Sequence, residues 1–164
     1  MGDRALIAYL AHPLGFTEPG RVFIRTQLMP ALRAAGVEPI DPFSLVPDER
    51  IGAVEGMPAG QNRRQAFQQL ATEIAETNRR ALDAADLVVA VLDGSDVDSG
   101  TAAEIGYAFA RGKKIVGYRS DLRRGGENEG VCVNLQVEHF VRASGGTVVA
   151  TLDELVRAVA SGTA

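Results

Sequence analysis

Apolar positions along the 164-residue chain fall into two arrangements. Some form short uninterrupted runs; others recur every three or four residues over longer stretches. Alternation between the two predicts an α/β domain built on a parallel sheet. Residues 5–10 (ALIAYL) read as the first strand. Pro19 then suits the first turn of a helix that sets Val22, Phe23, Leu28, Met29 and Leu32 on one broad face, and Gly36 ends it. Residues 37–41 form a short second strand stopped by Pro42. Residues 44–60, with Pro47, Gly52, Gly56, Pro58 and Gly60, read as a long loop, a length more often functional than filler. A polar-rich helix over 61–84 offers Phe67, Leu70, Ile74 and Leu82 to the interior. Residues 87–92 (LVVAVL) show no alternation, the mark of a central strand buried on both faces. A helix over 102–110 closed by Gly112, a strand over 114–118, a charged loop over 119–130, a helix over 133–143, a strand over 147–150 and a helix over 152–160 complete the chain.

Five strands alternating with helices give a single doubly wound domain over residues 1–164, flavodoxin- or Rossmann-like, with expected strand order 2-1-3-4-5 and helices on both faces. In such sheets ligands sit beyond the carboxyl ends of the strands where the order reverses, here between strands one and three. The segments leaving those strands are residues 11–16 (AHPLGF) and the acidic 93–100 (DGSDVDSG).

Composition narrows the chemistry. Seventeen basic against 21 acidic side chains give a net charge of −4, which argues against nucleic acid as a partner. Tryptophan is absent and aromatics are 5%, too few for a platform that stacks single strands. The longest apolar run is far below the roughly 20 residues that cross a bilayer, and no basic-then-apolar leader opens the chain, so a cytoplasmic protein without membrane partners is expected. Cys132 has no second cysteine to pair with, and with His12 and His139 the chain lacks the usual zinc ligands. Asp96-x-Asp98-x-Gly100 has the spacing of half a calcium loop, but its twelfth position is Tyr107. Neither G-x-G-x-x-G nor a phosphate loop is present, so neither metal nor cofactor is expected.

Chemistry concentrates between Asp93 and Glu104, where Asp93, Asp96, Asp98 and Glu104 fall within 12 residues and Gly94 and Gly100 permit tight turns. Two carboxylates facing one crevice are the equipment of glycosyl transfer: one attacks the anomeric carbon, the other manages the leaving group's proton. Glu104, expected in the first helical turn, has a second reading. Thr101-Ala-Ala-Glu104 has capping-box spacing, and Thr151-Leu-Asp-Glu154 repeats it with no acidic loop before it. Spacing alone leaves cap and catalyst equally open.

Asp86-Leu-Val-Val-Ala-Val-Leu-Asp-Gly, then Asp98-Ser-Gly-Thr-Ala-Ala-Glu-Ile-Gly-Tyr-Ala, then Gly-Lys-Lys-Ile-Val-Gly-Tyr resemble the nucleoside 2-deoxyribosyltransferases. Ile7-Ala-Tyr9-Leu-Ala-His-Pro and Val133-Asn134-Leu-Gln fit the same pattern. The resemblance implies an enzyme that moves a 2-deoxyribosyl group between nucleobases through a covalent ester on Glu104, with retention and without a cofactor. It implies that Asp98 faces the base, that Tyr9 orients the nucleophile, and that Asn134 is lent by a neighbouring subunit, hence a homo-oligomer with a shared site. Asn78, on an exposed helix face, stands where some members carry a second base-contacting aspartate. His12, Phe16, Asp93 and Gly100 complete the substrate-binding set. His12 replaces the family's usual glycine and also reads as a neutral loop histidine; Asp93 also reads as a turn-former, and Asn134 as a helix cap. A related group hydrolyses nucleoside 5′-monophosphates with the same glutamate, which asks for a phosphate pocket from residues such as Arg119, Arg123 or Ser99. A third possibility is a sensor that binds a nucleotide without turnover.

Overall fold

A parallel strand covered on both faces has no solvent side, and β3 (Leu87–Val91) is buried at every position. The computed structural model, which describes residues 4–161, places β3 at the centre of one five-stranded parallel sheet. Its order is β2-β1-β3-β4-β5, as the pattern predicts. The other strands are β1 (Leu6–Ala11), β2 (Val37–Ile40), β4 (Lys114–Tyr118) and β5 (Val148–Val149). Tyr9 of β1 pairs in register with Ile40 of β2 and Val88 of β3.

Alternate side chains of each strand feed opposite cores. Tyr9, Ala11, Val88, Ala90 and Leu92 pack on α4 (Gln61–Ala84), α5 (Ser99–Ala110) and α6 (Leu135–Ala143). Ala8, Leu10, Leu87, Val89 and Val91 pack on α1 (Glu18–Phe23), α2 (Met29–Ala34) and α7 (Leu152–Ala160). A small third core joins Val46, Val54 and Leu70 at one end of the molecule.

Three expectations change. The first helix runs without interruption over 18–34 but is not α throughout: between α1 and α2 the chain forms a π turn over Ile24–Leu28, where the Met29 N–H donates to the Ile24 carbonyl. Pro30 follows at once, and a proline inside a helix lacks the N–H that would continue the ladder. The segment 44–60 is not a loop throughout. It contains α3 (Asp48–Glu55), with Asp48 and Glu49 at the positive end of the helix dipole and Pro47 just before it. The third core and an Arg50–Glu73 ion pair of 3.0 Å fasten α3 to α4. Finally, α5 starts at Ser99 rather than residue 102, because Asp98 is its N-cap. Glu104 therefore lies in the second turn.

Candidate active site

The carboxyl ends of β1, β2 and β3 open into a cavity of about 660 Å³. His12, Gly15 and Phe16 line it after β1, Pro42 and Phe43 after β2, and Asp98, Gly100, Thr101 and Glu104 after β3. Val46, with Ile51 and Glu55 of α3 and Ile74 and Asn78 of α4, forms the opposite wall. The cavity thus lies at the strand-order reversal, where doubly wound sheets bind ligands.

Tyr9 sits in the middle of β1 with no solvent exposure. A buried phenol needs a partner, and its hydroxyl donates to Glu104 Oε1 at 2.5 Å. Burial pushes the Glu104 carboxyl above the usual carboxylate range; the Tyr9 hydrogen bond and the field of His12 oppose that rise, and nearby Asp98 adds to it. Burial also pushes the Tyr9 phenol upward, reinforced by its bond to Glu104 and by the charges of Glu104 and Asp41. Tyr9 is therefore a fixed donor to Glu104 and not a base.

Glu104 is free for this role because it does not cap the helix. Asp98 Oδ2 accepts from the Thr101 N–H at 3.0 Å and lies 3.3 Å from the Thr101 hydroxyl. The capping-box reading of Thr101–Glu104 is thereby replaced by an Asp98 cap. Asp98 Oδ1 has no hydrogen bond among the described residues, so the same carboxyl closes the helix and borders the cavity.

His12 is a buried side chain and not a loose loop histidine. Its Nδ1 accepts from the Leu14 N–H at 3.1 Å, which puts the neutral ring's proton on Nε2. Nε2 lies 3.3 Å from Asp41 Oδ1, although it satisfies no hydrogen-bond geometry there. Burial raises the Asp41 carboxyl, but His12, the Phe43 N–H and Arg25 outweigh that and hold it below its ordinary value. The imidazole stacks on Phe43, with centroids 5.3 Å apart, and Phe43 meets Phe16 edge-on at 4.9 Å. Phe16 is 75% exposed at the mouth.

Asn78, expected on an exposed face, lines the cavity, and its Oδ1 is buried without a partner. Asp93 is not brought there. Its Oδ2 accepts from Ser120 at 2.7 Å and its Oδ1 from the Asp121 N–H at 2.8 Å, fastening the loops after β3 and β4 to each other. Asn134 is also outside this cavity: Oδ1 caps α6 and Nδ2 donates to Glu127 at 2.7 Å. Arg119 is buried and donates to the Leu92, Gly94 and Arg123 carbonyls, while Arg123 pairs with Asp121. Neither Arg119, Arg123 nor Ser99 lines the cavity. Sequence reading missed Asp41, Phe43, Glu55 and Arg21, the last of which lines the cavity with Nη1 2.9 Å from the Gly15 carbonyl. Only the length of the 44–60 segment pointed toward that wall. Among the described residues no three His, Cys, Asp or Glu side chains gather to hold a metal, and no helix is long and apolar enough to cross a membrane.

The site is thus a doubly wound sheet with a desolvated carboxylate fixed at its reversal point. Residues 8–136 match the nucleoside 2-deoxyribosyltransferase family, and the chain belongs to that family. It is 28% identical to the uncharacterized protein C191.05c of Schizosaccharomyces pombe, over 85% of this chain and 79% of that one. The fold superposes on a 2-deoxyribosyltransferase from Leishmania mexicana with a TM-score of 0.68, 20% identity and coverage of 97% and 99% of the two chains. It also superposes on the CMP N-glycosidase BcmB of Clostridium botulinum with a TM-score of 0.54, 20% identity and coverage of 93% and 96%. These two likenesses are of fold.

Proposed function

We propose that the protein is a nucleoside 2-deoxyribosyltransferase acting in nucleoside salvage, with Glu104 as covalent nucleophile. The observation that carries this reading is the 2.5 Å Tyr9–Glu104 hydrogen bond inside a cavity at the sheet's reversal point. A carboxylate taken out of water is poised to stabilise the positive charge that grows at C1′ as the base departs. The Tyr9 hydrogen bond favours its ionised form against the effect of burial and holds it in place.

In the first step a Glu104 oxygen bonds to C1′ while the C1′–N bond breaks and its electron pair leaves with the base. Asp98, whose carboxyl borders the cavity, relays a proton to that nitrogen. In the second step the nitrogen of another base attacks C1′, its N–H proton returns to Asp98, and the ester bond breaks to restore the Glu104 carboxylate. Two displacements at one carbon retain its configuration. Asn78 and Phe16 border the base, and Gly100 leaves room beside Asp98.

Two features favour nucleosides and transfer over monophosphate hydrolysis. The cavity lining carries Glu55, Asp98 and Glu104 against Arg21, a poor field for a phosphate dianion. The histidine in that lining has one nitrogen accepting from Leu14 and the other directed at Asp41, so it is not a free base for water. Asn134, which does not line its own chain's cavity, suits a residue lent to a second copy in a homo-oligomer. The testing experiment incubates the protein with 2′-deoxynucleosides and a different free base and separates the products. A new deoxynucleoside is expected. Free base without exchange establishes hydrolysis, and ligand-induced stabilisation with no turnover establishes a sensor.

A further inference from the structure

The loops that leave β1 and β2 are joined at one place, and His12 is the joint. Its side chain has no solvent exposure although it borders the cavity. Nδ1 holds the Leu14 N–H, at the start of the 3₁₀ turn Leu14–Phe16 that carries Phe16. On the other side, Asp41 Oδ1 faces Nε2 at 3.3 Å and accepts from the Phe43 N–H at 2.9 Å. One carboxylate oxygen therefore holds the phenylalanine backbone by a hydrogen bond and faces the imidazole, while the two rings stack at an interplanar angle of 23°. Gly15 also abuts Phe43: a Cβ there would come within 2.2 Å of the ring. Phe43 has a slot, and His12 is its inner wall.

We propose that His12 is a positioning residue for the nucleobase. It seats Phe43, and through Phe43 it fixes where Phe16 stands, so that it governs how tightly the base is held while leaving bond-breaking to Glu104. This rests on the nucleoside reading above. Removing the imidazole leaves a void behind Phe43 that the ring can fall into, drawing the aromatic wall away from the base. Aromatic pairs are worth about 0.5–1.5 kcal/mol beyond their buried area, which corresponds to a loss of binding of about twofold to twelvefold.

The test is titration calorimetry with 2′-deoxyadenosine and 2′-deoxycytidine in a Glu104→Gln parent, which binds without turnover. His12→Gly is expected to weaken binding about twofold to twelvefold, and Phe43→Leu by a similar factor. With both changes together the loss should match Phe43→Leu alone, because one acts through the other. His12→Asn guards against mere unfolding: its amide oxygen can still accept from Leu14, so its Tm should stay near the parent's while binding remains weak for want of the ring. In the active enzyme the loss should fall on KM rather than kcat. Parent-like binding by His12→Asn, additive losses in the double variant, or a loss confined to kcat would overturn the proposal. A parent that binds neither nucleoside overturns the nucleoside reading itself, and this inference with it.

Discussion

The amino ends of α5 and α7 carry the same spacing, a threonine followed three positions later by a glutamate, and only one of them is a capping box. At α7, Thr151 Oγ1 accepts from the Glu154 N–H and the Glu154 carboxylate accepts from the Ala150 and Thr151 N–H groups. Those backbone bonds hold the Glu154 carboxyl below its ordinary value. At α5, Asp98 has taken the N-cap three residues before Thr101, so Glu104 falls in the second turn, past the third helical position from which a capping-box glutamate reaches back. Its side chain turns inward to Tyr9, and burial moves its carboxyl the other way. The same four-residue pattern thus gives a surface cap or a candidate nucleophile according to which residue reaches the helix end first.

The sharpest way to break this contrast is to neutralise each glutamate. Glu104→Gln is expected to lower the exchange rate on the order of 10⁴-fold or more, the scale on which covalent nucleophiles act. Glu154→Gln should leave that rate unchanged. Asp98→Asn comes next, since asparagine caps as well as aspartate but carries no transferable proton. Exchange should fall roughly 10²-fold or more while Tm stays near wild type, read by product chromatography and calorimetry. Tyr9→Phe removes a hydrogen bond to a charged group and should cost about tenfold to a hundredfold. It should also move the acidic limb of the pH–rate profile upward, because the bond it deletes favours the ionised carboxylate.

Stability gives the smallest effects, and they differ in sign. Glu104 has a raised pKa in the folded state, so the native protein binds more protons than the unfolded chain between the ordinary carboxylate pKa and the raised one. Stability at this site is lost as pH rises through that window, and Glu104→Gln should raise the neutral-pH Tm. Glu154 has a lowered pKa, so its contribution is present above the unfolded value and fades as pH falls through the folded one; Glu154→Gln should lower the neutral-pH Tm. Thr151→Ala should cost about 0.5–2 kcal/mol without touching exchange.

Much of this architecture could be read along the chain because it is local. Uninterrupted Val and Leu runs marked the strands, and their succession gave the sheet order and the reversal point. The acidic turn after β3 then put Asp98 and Glu104 at the site. What escaped depends on meetings between distant segments. His12 and Asp41 pair across two strands, and nothing in AHP or IDP announces it. Asn78 looked solvated because α4 is polar on most of its circumference, yet α3 folds back to make its face a cavity wall. α3 itself was masked by its glycines and prolines, although Pro47, the acidic pair Asp48–Glu49 and Gly56 are start and stop signals of a short helix. Nor did the Thr101–Glu104 spacing show that Asp98, three residues earlier, caps the helix instead.

The most direct test of the account is to quench the enzyme in acid during turnover of a 2′-deoxynucleoside and map its peptides by mass spectrometry. One added 2-deoxyribosyl group on the peptide that contains Glu104 is expected, none on the peptide that contains Glu154, and none at all after Glu104→Gln. Exchange that proceeds with an unmodified Glu104 peptide, or with the sugar on another residue, would contradict it.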